Sequence, residues 1–558
     1  MGREAQLPNC TSLLQPPTNG GGVRRSWISP QSLLVSNGRT LFYGRERSGP
    51  RPSSWRSAIP QVCHANREFG TFHRVSHRMS EFLWDPVERT MTGSLLRIVD
   101  PGPLRAPIIS FVLRRNKDLD LVMETTTAGD AVSSAPTYPP GTLRRNDDRV
   151  RWENGFGFNA TGKGVQPLSF KTSNDHRRGV RETVEISSVH SVEATFPDAD
   201  APAHTIDWLE NVGDWFHWPQ MINCERRVTE TRSIGLGSNG VTITDEETEQ
   251  GGSAACVKAR VVDIDVYLCA KWIEPGDRHR KPGCLIYRGT PDEKTRERVR
   301  NVLSFSLGMF LVSLGHTAYS ADWKMVSFKA ISPYSIDGRV FDLPVMPPAP
   351  LAARSRNEIE PARLSRIASA LYAVYDELGF GDLNWGFWHA RCATPHIAPV
   401  HFGAIIEALR KTCADRFSGQ IATKIVEDGE TWGKFFEAVK PLVENLGIPA
   451  DRKHLLQEAI GRTNGMPHKA VMEDLLARMK LEFGASESAA WRRRNAAAHG
   501  RAIPTGSEFE AIQDTKFLRG LFDRMLLRLV DASDIYIDYG SLNFPIRPLA
   551  EAPKGRGV

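Results

Sequence analysis

Residues 487–504 read ESAAWRRRNAAAHGRAIP, and this run holds the densest grouping of side chains able to do chemistry in the chain. Arg492, Arg493, Arg494, Asn495 and His499 lie within it. Ser486 can cap a helix start and Gly500 can supply the left-handed residue that ends one, so the run predicts a short helix carrying all five. Neighbours on a helix stand about 100° apart, so three successive arginines cannot share one face. At least one must point toward whatever His499 faces. The small residues Ala496, Ala497 and Ala498 let another backbone approach closely, and a two-fold dimer would bring two copies of the histidine together. Two imidazoles suffice for RNA cleavage without a metal ion. The neutral one takes the ribose 2′-OH proton, the protonated one supplies the leaving 5′-oxygen, and an ordinary pKa near about 6.5 lets both forms coexist. Arg494 would hold the extra negative charge of the phosphorane through bidentate contacts.

An Arg, an Asn, three further residues, a His and a Gly inside a helical bundle resembles the RxxxxH signature of HEPN-domain ribonucleases. A β-rich region ahead of such a module is similar to the architecture of ApeA-like anti-phage proteins. That resemblance implies a homodimeric, metal-independent endoribonuclease of abortive infection, with no cofactor, an active site shared across the dimer, and RNA as its substrate, tRNA among the candidates. It carries over to Arg494, Asn495 and His499 as catalytic residues, because only those positions match. Arg492 and Arg493 are expected to bind the RNA backbone. The rival reading of the same basic helix is a non-catalytic module that binds RNA or nucleotides or pairs with a partner, behind a ligand-sensing β domain.

Other groupings carry less. GFNATGKG, residues 157–164, nearly spells a phosphate-binding loop, but Gly164 stands where the magnesium-holding hydroxyl belongs, and a strand-like, proline-containing segment follows where a helix is needed. GLGSNG, residues 235–240, is followed by VTITDEETE and reads as a hairpin turn. His389, Cys392, His396 and His401 are metal-capable, yet their spacing fits no standard zinc pattern and Pro395 and Pro399 interrupt them. No metal site is expected. The segment IDWLENVGDWFHWP, residues 206–219, has three tryptophans whose ordinary role is core packing; a ligand-recognising β domain is the functional alternative.

The elements that must position these residues follow from composition. The chain has 558 residues, too many for one ordinary core at roughly 100–200 residues per domain. Its 41% hydrophobic and 24% charged content is that of globular protein. A net charge of +6 is compatible with a polyanionic partner without requiring one. Eight cysteines form no CxxC pair and no dense framework, which reads as reduced thiols in a cytoplasmic protein. The longest apolar stretch, residues 302–314, is broken by Ser and Gly and too short to cross a bilayer.

Along the chain, residues 1–78 are rich in Arg, Ser, Pro and Gly and read as a disordered extension or a mis-assigned start, with Met79 as the alternative first residue. An Arg-rich targeting segment is the competing reading. Residues 79–342 carry short β-branched and aromatic runs separated by turn residues, a mostly β sensor or regulatory domain answering to an unknown trigger, with one helix at about 292–314 capped by Asp292. Residues 343–353, LPVMPPAPLAA, are a proline-rich linker. Residues 354–545 repeat apolar positions at three- and four-residue spacing and predict a HEPN-type antiparallel helical bundle. Residues 546–558 read as a flexible tail. The expected fold class is therefore α+β and multidomain.

Overall fold

Alternation builds the first half of the protein. In the strand Arg149–Asn154, Val150 and Trp152 are buried while Arg149 and Arg151 face solvent, the two-residue period of a sheet with one face on a core. The computed structural model describes Val87 and, from 96 to 555, all residues except 134–147, 155–156, 176–179, 198–199, 214–215, 220–221, 235–240, 254–255, 271–281, 334–338, 342, 354–357, 417–423, 499–503 and 505.

Ten strands form one antiparallel sheet in the order Leu96–Asp100, Arg149–Asn154, Asn159–Lys163, Ser191–Thr195, Met325–Ile331, Ser313–Tyr319, His204–Leu209, Gly283–Arg288, Ile264–Ala270, Cys256–Val261. A second antiparallel sheet, Arg105–Arg115, Leu121–Ser133, Val180–Val189 and Gln166–Asp175 in that order, packs on the first half of it. Phe111, Leu113 and Met123 of the small sheet meet Trp152, Val192 and Phe328 of the large one in a shared apolar cluster. The near-miss loop 157–164 contains the strand Asn159–Lys163 and runs into the strand Gln166–Asp175, so no helix offers its N-terminus there. The segment 235–240 lies outside the described residues, between strands that pair with Ile234 opposite Val241.

Helix α1, Glu293–Leu307, covers the other half of the sheet. Its N-cap is Asp292, whose carboxylate accepts from the Thr295 N–H at 2.7 Å, as the sequence indicates. It ends earlier than expected. Gly308 turns left-handed at φ 63°, and a side chain there would overlap the Met346 carbonyl. Residues 313 and 314, expected at the end of the helix, instead open the strand Ser313–Tyr319 in the middle of the sheet. In the 206–219 segment, Trp208 donates to the Thr317 hydroxyl at 2.8 Å and Trp218 to the Gly213 carbonyl at 3.2 Å, both buried. These two are core residues; Trp215 lies outside the described residues. Buried Asp207 in the same segment is held by Arg296 and Arg300 of α1 at 2.9 and 3.1 Å.

Among the described residues eight further helices follow: α2 Pro361–Ala373, α3 Phe380–Cys392, α4 Ala398–Arg416, α5 Gly429–Glu444, α6 Ala450–Arg462, α7 His468–Arg478, α8 Ala485–Ala498 and α9 Glu508–Leu529. The chain is thus an α+β protein, a large β region followed by helices. Phe305 of α1 sets its ring against Phe380, Phe387 and Phe522 of the helical half, with centroids 5.2–6.3 Å apart. Strands give way to helices across residues 343–353, but the core does not divide there. Ala349 and Leu351 are buried in one apolar cluster with Leu285 of the sheet, Val299 of α1 and Phe522 of α9. The connector is a packed strap, because its prolines carry no N–H to satisfy and bury cheaply.

α2 also closes one edge of the sheet. The Arg260 and Val262 N–H groups donate to the hydroxyls of Ser365 and Ser369 at 2.9 and 2.8 Å, and Ser369 donates back to the Arg260 carbonyl. At the other end of the chain the expectation of a flexible tail is corrected for residues 546–555. Ile546–Pro548 pairs with Ile535–Ile537, and Leu549 is fully buried, because Arg524 of α9 reaches the Leu549 and Ala550 carbonyls at 2.9 and 3.2 Å. No helix among the described residues is long and apolar enough to cross a membrane.

One buried carboxylate makes a pH prediction. Burial pushes the Asp523 carboxyl up to about 6 in spite of Arg519 and Arg391 nearby. A carboxyl whose pKa is higher folded than unfolded contributes stability that is fully present below the unfolded value of 3.8 and is lost as pH rises through about 6. Wild type should therefore lose about 2 kcal/mol relative to Asp523→Asn between pH 4 and pH 7, at about 1.36 kcal/mol per pKa unit. Urea unfolding of both proteins at the two pH values measures it; parallel behaviour would show that Asp523 is ionised throughout.

Candidate active site

The motif helix is held from its first turn. The Glu487 carboxylate accepts from the Gly484 N–H at 3.1 Å, satisfying a donor that the helix start leaves unpaired. It also pairs with Arg524 of α9 at 2.8 Å, both side chains being fully buried. α8 begins at Ala485, so Ser486 lies inside the helix and does not cap it from outside as the sequence indicated. Ala490 and Trp491 turn inward, and α8 packs against α4 and α9.

The three arginines diverge, as successive helix positions must. Arg492 is exposed, with its Nε at 3.4 Å from the Ser488 carbonyl one turn back. Arg493 forms a two-pronged contact with Asp514 of α9, its Nε 2.7 Å from one carboxylate oxygen, while Asp514 itself is buried. That hydrogen bonding raises the Arg493 pKa further and neutralises its charge locally. Arg494 lies across α4. Its guanidinium is 3.4 Å from the centroid of the Trp491 ring and 2.7 Å from a Glu407 oxygen, and its side chain is only 12% exposed. A stacked cation that is also ion-paired is fixed in place by two independent attractions.

Glu407 takes a second donor, Arg410 Nε, at 2.9 Å. Burial works against its charge, but the hydrogen bonds from Arg410 and Arg494 outweigh that and keep its carboxyl below the usual range. Burial lowers the Arg494 pKa against the pull of Glu407, and a guanidinium remains charged at any physiological pH. Gly403 makes room for this arrangement. A methyl group there would run into the Arg494 Cδ and guanidinium. The Arg494 Nε is buried without a hydrogen-bond partner, so one donor of the fixed cation is left unused.

Asn495 is within α8, where its side chain is not described, and His499 directly follows the last residue of the helix and lies outside the described residues. The structure therefore brings Arg494 to the α4 face, takes Arg493 to α9 and leaves Arg492 in solvent. Glu482 and Glu487, the carboxylates nearest in sequence that could orient His499, are engaged elsewhere: Glu482 accepts from the Ala552 N–H at 3.0 Å and Glu487 holds Arg524. Sequence reasoning missed Glu407, Trp491 and Gly403. The available signal was slight, a lone carboxylate in the apolar run AIIEAL and a glycine in mid-helix.

The metal-capable cluster does not assemble. Among the described residues no three His, Cys, Asp or Glu side chains come together as a metal site. His389 packs on exposed Trp385 with centroids 3.9 Å apart and the rings tilted by 44°, and Cys392 donates to the His389 carbonyl within α3. Trp385 and His401 instead line a cavity of about 530 Å3 between α3 and α4. Comparison with family models, with curated proteins and with solved structures finds no match.

Proposed function

We propose that the helical half is a HEPN-type, metal-independent endoribonuclease module acting as a homodimer in anti-phage defence, with Arg494, Asn495 and His499 as its catalytic residues. The observation that carries this reading is the placement of the RNAAAHG run. Its residues 494–498 occupy the end of a helix packed between two others, with Arg494 clamped by Glu407 and Trp491 five residues before His499 in the chain. In the proposed reaction the neutral His499 imidazole of one copy removes the 2′-OH proton, and the 2′-oxygen attacks phosphorus. The bond to the 5′-oxygen breaks as the protonated His499 of the second copy delivers a proton to it. The products are a 2′,3′-cyclic phosphate and a 5′-hydroxyl, so bonds and protons balance without a metal ion. Arg494 supplies a fixed positive charge to the phosphorane. A preorganised cation costs no reorientation when the charge develops, which is where the α4 clamp acts.

The test is incubation of the purified protein with total cellular RNA in excess chelator, followed by end-group analysis. Cleavage that persists in chelator and leaves 2′,3′-cyclic phosphate ends is the expected result. Fragments with 3′-hydroxyl ends, or cleavage lost with the chelator, would exclude the two-imidazole mechanism. A second, independent check uses Gly403→Ala. Alanine in mid-helix favours the helix by about 0.5–1 kcal/mol, which offsets part of the ion pair and ring contact that a displaced Arg494 gives up, so the melting temperature should change little. Yet Arg494 must leave its place against α4, and cleavage should fall about 10-fold, part of what a charge-stabilising group provides. Unchanged cleavage would mean that the clamp does not serve the reaction.

The rival is a non-catalytic module that binds RNA or a nucleotide through the same helix, on which Arg492 is exposed. It predicts salt-dependent, saturable binding with no products.

A further inference from the structure

A second concentration of positive charge lies beside the α8 contacts. A cavity of about 210 Å3 between the connector, α3, α4 and α9 is lined mostly by apolar residues, Pro344 and Phe402 among them, together with Arg391, Thr515, Lys516 and Arg519. It reaches the surface, since Ile512 on its wall is 40% exposed. Arg391 donates to the Gly308 and Pro344 carbonyls at 2.9 and 2.5 Å, and Arg519 donates to the Met346 carbonyl at 2.5 Å. These acceptors are neutral, so they fix the two guanidiniums without cancelling their charge.

The compensation is incomplete. The described carboxylate paired with Arg519 is Asp523, at 3.5 Å, and both Arg519 Nε and Asp523 Oδ1 are buried without a hydrogen-bond partner. Burial and then repulsion from Arg519 push Arg391 down to about 9. Of these three cations only Arg519 has an ion pair among the described residues, with Asp523, which leaves an excess of positive charge that an anion would relieve. Guanidinium pairs of fixed orientation suit the several oxygens of a tetrahedral phosphate. The volume is below the roughly 300 Å3 at which pockets for whole drug-sized ligands begin, so a phosphate with its sugar fits and a complete nucleotide does not.

Its position connects it to the motif helix. Phe402 on its wall precedes Gly403, over which Arg494 lies, and Thr515 follows Asp514, which holds Arg493. We infer that this cavity is a phosphate-binding subsite, formed by Arg391, Arg519 and Lys516, that holds a backbone phosphate of the RNA beside the α8 motif. The identity of the ligand as RNA rests on the ribonuclease reading; the affinity for phosphate does not.

The experiment uses the full chain carrying His499→Ala, so that binding is read without cleavage. A fluorescently labelled single-stranded oligoribonucleotide is titrated and followed by anisotropy over a range of KCl, and inorganic phosphate is followed separately by phosphorus NMR. Lys516→Gln removes one cation at the solvent side of the cavity and leaves the buried arginines in place. Oligonucleotide affinity should fall about 5–10-fold and the salt slope should drop by nearly one, the signature of one lost phosphate contact. Competition by inorganic phosphate that weakens in Lys516→Gln identifies a site that takes an isolated phosphate. Displacement by unlabelled oligonucleotide alone identifies one that takes phosphates only within a backbone. Phosphate binding that depends on Lys516, with no oligonucleotide binding, keeps the subsite and removes RNA as its ligand. Equal affinity and equal salt slope in Lys516→Gln, or no binding of either probe, overturns the subsite.

Discussion

Replacing His499 by alanine is expected to lower RNA cleavage at least about 100-fold, because a positioned imidazole that moves a proton in the transition state contributes about 10²–10⁴. In the proposed dimer the substitution removes both the base and the acid at once, which places the effect toward the upper end. His499 comes after the last residue of α8 in the chain, and a melting temperature within about 1 °C of wild type is the control that separates lost catalysis from lost fold. Arg494→Ala should also reduce cleavage, but it takes one of the donors from Glu407 and uncovers Trp491, so a loss of stability accompanies it. His499→Ala is thus the cleaner variant. A mutant that cuts as fast as wild type would end the catalytic assignment and leave the binding module standing.

The largest expected effect on stability comes from Arg524→Met. Arg524 and Glu487 are both fully buried and 2.8 Å apart, and Arg524 also donates to the Glu482, Leu549 and Ala550 carbonyls. Removing one member of a buried pair strands the other charge and costs about 3–5 kcal/mol. At the roughly 2 °C per kcal/mol of a large cooperative unit, the melting temperature should fall by about 6–10 °C in calorimetry. The double variant Arg524→Met with Glu487→Leu should recover much of that, since replacing both charges by apolar groups is often close to neutral. A melting temperature unmoved by Arg524→Met would show that water reaches the pair in solution. The consequence extends to α8, whose first turn loses its anchor along with Glu487.

What could be read from the sequence was local. Asp292 three residues ahead of the Thr295 N–H, the short β-branched and aromatic runs of the first half, and the three- and four-residue spacing of the helical half are each set by a few neighbouring residues, and the structure bears them out. What escaped was set by distant partners. Gly308 stops α1 because Met346 presses on it, the tail is ordered because Arg524 reaches it, and the connector is packed because sheet and bundle share one core. In the candidate site the divergence of three adjacent arginines followed from helix geometry alone. Their partners, Glu407 and Asp514, stand 87 and 21 residues away and could not be chosen from among the many carboxylates of the chain.

The serine contacts from α2 to the end strand of the large sheet bear on how this protein stays in solution. An end strand whose N–H and C=O groups point outward is a template on which another chain can add a strand. Here Ser365 and Ser369 occupy those groups at Arg260 and Val262, and a helix lies where a further strand would add. A proteolytic cut in residues 354–357, ahead of α2, that let the helical half come away would do more than uncover apolar surface. It would release a ready-made growth edge, and the β-rich remnant should then assemble edge to edge into fibrous aggregates.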